Sequence, residues 1–161
     1  MRVLPLLGVM MAMSACVLVV APSPWGSVTF LVVVNPGLLA TDGTLSVDVW
    51  NASQLATLDD NARCASYRGP TAAPLQCPPG VTFREVAPDR HDVPLSSIAT
   101  SFEVTPKQVN PGEKFRIHLS GPNRDRCNAS SADVVRTAAQ GRTVLQDLPW
   151  QTTGRGCLTP P

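Results

Sequence analysis

Two histidines, His91 and His118, are the only imidazoles in the chain, the side chains whose ordinary pKa suits general acid–base chemistry near neutral pH. His91 sits in the run Asp89-Arg90-His91-Asp92, flanked by Pro88 and Pro94, a cluster able to bind a cation or donate to a substrate but equally served by plain solvation. His118 alternates onto the polar side of its segment beside Arg116, which makes it a solvated surface histidine. Asp59, Asp60 and Glu85 are the carboxylates that a glycosidase-type pair would need. Asp59 and Asp60 are adjacent and diverge, so they cannot converge on one bond, and partners from other elements would have to come within about 5–10 Å. No G-x-S-x-G elbow, H-E-x-x-H pair or phosphate-cradling glycine loop is written in the chain. The expectation is a protein that does not catalyse, uses no cofactor and holds no metal; a small exported hydrolase or enzyme inhibitor is the alternative.

Recognition has better candidates. Arg63, Arg68, Arg84 and Arg90, with Tyr67, His91 and the prolines among them, make residues 62–92 mildly basic, and interfaces are rich in Tyr, Trp and Arg. Trp50 closes an alternating segment on its polar side and is the single aromatic best placed for a contact, although a tryptophan covering the end of a β-structure is the commoner arrangement. Asn51-Ala52-Ser53 and Asn128-Ala129-Ser130 match the N-glycosylation acceptor pattern. A glycan on Asn51 would shield Trp50.

These residues need positioning, and the compartment decides how. Residues 3–21 form an uncharged apolar run behind Arg2 and end at Pro22-Ser23-Pro24, so residues 1–26 read as a signal peptide. An uncleaved anchor of about 20 apolar residues is a second reading, and lipidation at Cys16 a third. Each puts the protein in a secreted or extracellular surface location. Lys and Arg number 13 against 12 Asp and Glu; removing Arg2 leaves residues 27–161 formally neutral. Neutrality argues against nucleic-acid and polybasic membrane-surface partners, and leaves an extracellular or cell-surface protein or glycan, with a membrane contact only if residues 3–21 persist as an anchor.

Beyond Cys16, four cysteines remain: Cys64, Cys77, Cys127 and Cys157. An even set in an exported chain predicts disulfides. Four cysteines allow three pairings; Cys64–Cys77 with Cys127–Cys157 is the sequence-local one, and crossed or nested pairings stay open. No C-x-x-C or H-x-x-x-H spacing supports a zinc site.

With 16 Pro, 11 Gly and 5% aromatics, the chain is loop-rich and no helical bundle. Residues 27–34 (SVTFLVVV) predict a strand buried on both faces. Residues 43–50 (GTLSVDVW) alternate, with Leu45, Val47 and Val49 inward and Thr44, Ser46 and Asp48 wet. Residues 53–60 suggest a short helix capped by Ser53. Residues 62–92 read as irregular apart from a strand over 81–86, tied down by Cys64 and Cys77. Residues 102–105 lead through Asn110-Pro111-Gly112 into 114–120, where Phe115, Ile117 and Leu119 form a buried face. Residues 142–148 add another strand, and 132–138 a seventh or a helical turn.

A strand, a Pro-Gly corner and an alternating strand ending at Ser120-Gly121 resemble the opening strands of immunoglobulin-like domains. The resemblance implies architecture and assigns no functional residue. Too few residues follow Gly121 for a full sandwich, so the upstream strands must complete it. The expected fold is all-β, a two-sheet antiparallel immunoglobulin-like sandwich of six to seven strands over residues 27–161. The expected function is an exported, non-enzymatic binding module working through the region between Cys64 and His91; a membrane-anchored envelope or coat component is a further alternative.

Overall fold

The structure, a computed structural model, describes residues 27–35, 37–67 and 77–154. The expected leader, Arg68 and Cys157 lie outside the described residues. Among the described residues, eight strands and one α-helix follow in order: β1 Thr29–Val33, β2 Thr44–Trp50, α1 Ala52–Ser66, β3 Asp89–Pro94, β4 Ser101–Val104, β5 Lys114–Pro122, β6 Ala129–Thr137, β7 Arg142–Leu145 and β8 Gln151–Thr153, with a 3-10 turn at Leu95–Ser97. They build two sheets, β4-β1-β7 and β3-β2-β5-β6-β8. All the pairings are antiparallel except β1 with β7, which run parallel, Phe30 opposite Thr143 and Leu31 opposite Val144.

The core lies between the sheets. Phe30 of β1 stacks on Phe115 of β5, ring centroids 4.2 Å apart, and both rings are fully buried. Around them lie Leu45, Val47 and Val49 from β2 and Ile117 and Leu119 from β5, so the inward faces read from the alternation are the buried ones. Pro-Gly chemistry sets the corner between the sheets. The Glu113 N–H donates to the Asn110 carbonyl at 3.2 Å, with Pro111 and Gly112 between them and Gly112 at φ +83°. That is the type II pattern, in which proline presets the first central residue and glycine takes the positive φ. It carries the chain from β4 in one sheet to β5 in the other.

Several local expectations are corrected. β1 is buried on one face only: Phe30 and Val32 are inside, while Val33 is 36% exposed, because among the described residues no layer covers the outer side of the three-stranded sheet. Residues 81–86 form no strand; the neighbouring charged run is the strand instead, β3 pairing with β2 from Thr44↔Pro94 to Val49↔Asp89. Of the two readings of residues 132–138, the strand is the one observed, residues 132–137 belonging to β6. The helix is nearly twice the expected length, and its cap is Asn51 rather than Ser53.

Candidate functional site

Residues 51–67 and 77–88 form a unit mounted on the outside of the five-stranded sheet. It starts with a reciprocal cap. The Asn51 Oδ1 accepts from the Gln54 N–H at 3.0 Å, and Gln54 Oε1 accepts from the Asn51 N–H at 2.9 Å, satisfying two of the donors that a helix start leaves open. α1 packs against β5, yet Cys64 is its only fully buried side chain. Such a helix gains little from a core and needs fastening.

Three fasteners are present. The Gln54 side chain donates to the Ala87 carbonyl at 2.8 Å. Asn61 pairs with the backbone of Arg84 in both directions, Nδ2 to the Arg84 carbonyl at 2.6 Å and the Arg84 N–H to Oδ1 at 2.9 Å, as a neighbouring strand would. Cys64 is bonded to Cys77. The spacing is self-consistent. From Gln54 to Asn61 the helix rises about 10.5 Å, and from Arg84 to Ala87 an extended chain covers about 10 Å, so the segment lies antiparallel along the helix. A second Pro-Gly turn, with the Val81 N–H donating to the Pro78 carbonyl at 3.0 Å and Gly80 at φ +80°, bends the segment back from Cys77.

This unit shows aromatic and arginine side chains to solvent, with the exposed carboxylates of Asp59 and Glu85 among them. Phe83 is 50% exposed and Tyr67, the C-cap of α1, is 39% exposed. Arg84 is exposed, and Arg63 leans on Asp60 at 3.3 Å with most of its side chain in solvent. The structure therefore brings three of the sequence-derived contact residues, Arg63, Tyr67 and Arg84, onto one appendage. Phe83 was missed, because inside an expected strand a phenylalanine reads as core.

The other candidates go elsewhere. Arg90 is on the outer sheet face, forked onto the mostly buried carboxylate of Asp48 at 2.7 and 3.0 Å. Asp48 was expected to be wet; the guanidinium of Arg90 covers it, and its opposite neighbour on β5 is His118. Arg116 pairs with Asp133 and lies over the Trp50 ring, 5.3 Å from its centroid. Trp50 is thus partly covered, and its indole Nε1–H is buried without a partner. It is the padding under Arg116 rather than an open contact residue.

His91 is on the opposite face of β3, with Nε2 3.1 Å from Asp89 Oδ2, the same oxygen that accepts the Lys107 N–H at 2.8 Å. Burial works to raise the Asp89 carboxyl, but the Lys107 amide, the His91 hydrogen bond and nearby positive charge outweigh it and leave it below its ordinary value. His118 has Nδ1 3.9 Å from Asp133 Oδ2. Among the described residues neither histidine is hydrogen-bonded to a hydroxyl, and no group of three His, Cys, Asp or Glu side chains is placed to hold a metal ion. Asp59 and Asp60 diverge as neighbours on a helix must; Asp60 pairs with Arg63, and Asp59 acts on Arg116 through its charge alone.

Two adjoining clefts open at the start of α1. One, of about 200 Å³, is lined by Asn51, Gln54, Asp89, Lys107 and Gln108 among others. Its neighbour is shaped by Asn51, Ser53, Gln108, Asn110 and Glu113. Cys127, at the far end of the five-stranded sheet, is disulfide-bonded as well. The chain matches no family model, no curated protein and no solved structure.

Proposed function

We propose that this chain is an exported, disulfide-braced binding module that meets an extracellular protein or glycan through the unit of residues 51–67 and 77–88, and that it works without catalysis. The observation that carries this reading is the exposure of Phe83 and Tyr67 beside Arg63 and Arg84 on a unit fixed by Cys64–Cys77 and by the Asn61–Arg84 pair. Aromatic and arginine side chains dominate binding energy in interfaces, and a mount that is already rigid loses little entropy on docking. Neither a buried stretch of core nor a helix cap explains why a phenylalanine is left half in water. The combination of Tyr, Phe and Arg favours a protein partner over a sugar, whose hydroxyls ask for convergent amides and carboxylates.

Immunoglobulin-like character belongs to the same proposal. It is supported by the Asn110–Glu113 corner that passes the chain from β4 in one sheet to β5 in the other. Export is supported by the Cys64–Cys77 cystine, since such bonds persist in oxidising compartments.

Chemical crosslinking on the surface of host cells, comparing the intact chain with a Tyr67→Ser/Phe83→Ser/Arg84→Glu variant, tests the assignment. Loss of a specific adduct in the variant, with its thermal transition unchanged, is the expected result. Equal capture by both proteins overturns the placement of the contact face on this unit.

A further inference from the structure

We propose that Asn51 is N-glycosylated and that Asn128, the second match to the acceptor pattern, is not. The inference rests on the reading of the chain as exported, and goes beyond it in assigning a modification to one atom.

The two asparagines divide their work oppositely. At Asn51 the structural role belongs to the oxygen. Oδ1 accepts from the Gln54 N–H at 3.0 Å and from the Ser53 hydroxyl at 2.7 Å, which fixes the helix start. The Nδ2 amide is left with a single long hydrogen bond, to Gln108 Oε1 at 3.3 Å, on the exposed side. At Asn128 the nitrogen itself carries a structural role. Nδ2 donates to Asp125 Oδ2 at 2.6 Å, and that bond, with the Cys127 and Asn128 N–H groups on the other carboxylate oxygen, closes the loop and holds the Asp125 carboxyl below its ordinary value. A sugar takes Nδ2. At Asn51 it takes a group that the fold hardly uses; at Asn128 it takes the one that shapes the loop.

The hydroxyls of the two motifs differ in the same direction. Ser53 is exposed and already turned onto Asn51. Ser130 is fully buried in β6 and accepts from Asn123 Nδ2 at 2.9 Å. Space differs too. The Asn128 side chain lies so close to Gly154 that a Cβ there would fall 2.3 Å from its Oδ1. Asn51 instead borders the two open clefts beside α1.

In the transfer, Asn51 Nδ2 bonds to the anomeric carbon of a glycosyl diphosphate donor while the anomeric C–O bond breaks. The diphosphate leaves with the bonding pair, and the amide gives up one N–H proton. The carbonyl oxygen is untouched, so the cap survives. The sugar then stands at the N-terminal end of α1, about 22 Å of helix away from Tyr67 at the other end, and leaves the proposed contact face open.

Expression of the full chain in cultured eukaryotic cells, followed by treatment of the lumenal and secreted fractions with a peptide N-glycanase, reads the outcome. Asn51→Asp keeps an oxygen at the cap, Ser53→Ala keeps Asn51 itself, and Ser130→Ala disables the other motif. A single glycanase-sensitive mobility step is expected, absent from N51D and S53A and retained in S130A. A step lost in S130A, two steps, or a lumenal oxidised chain carrying no sugar on Asn51 overturns the proposal. A chain that stays outside the lumen with reactive thiols overturns the export reading and takes the modification with it.

Discussion

Single side chains carry most of the electrostatics of the outer sheet face. Asp133 is held below its ordinary value by its hydrogen bond to Arg116, with burial opposing and the Arg116 and His118 charges adding to the lowering. A carboxyl with a lowered folded value contributes stability above the unfolded value of about 3.9, and that stability is lost as pH falls through the folded value. Asp89 acts in the same direction. The urea midpoint should therefore fall below about pH 4, and Asp133→Asn should flatten part of that fall. The pair is more than a third exposed, so its share is about 0.5 kcal/mol after solvent screening. Trp50 gives a sharper contrast. Its indole N–H has no partner, so Trp50→Phe removes no hydrogen bond and should cost under about 1 kcal/mol. Trp50→Ala empties the space beneath Arg116 and should cost about 2–3 kcal/mol, toward the low end for aromatics because the ring is only partly buried. Chemical denaturation of the two variants separates these outcomes.

At the scale of elements, α1 is the part that owes least to the core and most to its fasteners. Asn51→Ala removes the capping oxygen and should lower stability by about 1 kcal/mol, read as a shift in the denaturation midpoint at constant slope. Removing the cystine with Cys64→Ala/Cys77→Ala should cost about 2–4 kcal/mol, in the range for loops of this size. The loss should be local as well as global. Hydrogen exchange of the α1 amides should quicken far more than that of β5, because the sheet keeps its ladders while the helix keeps only Asn61 and Gln54. The sequence showed a short helix over residues 53–60 with Ser53 as its cap and a Cys64–Cys77 tie, but not the cap at Asn51 or the extension to Ser66. Leu55 and Leu58 give α1 only a weak apolar stripe, so periodicity did not carry the helix further. The strand at residues 89–94 was hidden for a related reason. Four charged residues and a closing proline read as a loop, and they form an edge strand because β2 offers a ladder and Asp48 offers a partner for Arg90.

Across the whole molecule the fold is two sheets closed over one aromatic stack. Phe30 and Phe115 join the sheets at the centre, so Phe115→Ala should cost about 3–5 kcal/mol and broaden the transition, as measured by calorimetry. The proposed contact residues, by contrast, should be separable from folding: Phe83→Ser and Tyr67→Ser should leave the transition in place. The sequence alone determined the all-β class, the inward faces of β2 and β5 and the Pro-Gly corner, because each follows from local alternation or from the φ preferences of proline and glycine. Tertiary structure decided which strands pair, including the parallel β1–β7 contact, which carboxylate is buried, and whether an aromatic ends inside or in solvent. Those outcomes depend on partners far away in the chain, and side-chain period and turn chemistry carry no information about residues that meet only after the sheets have closed.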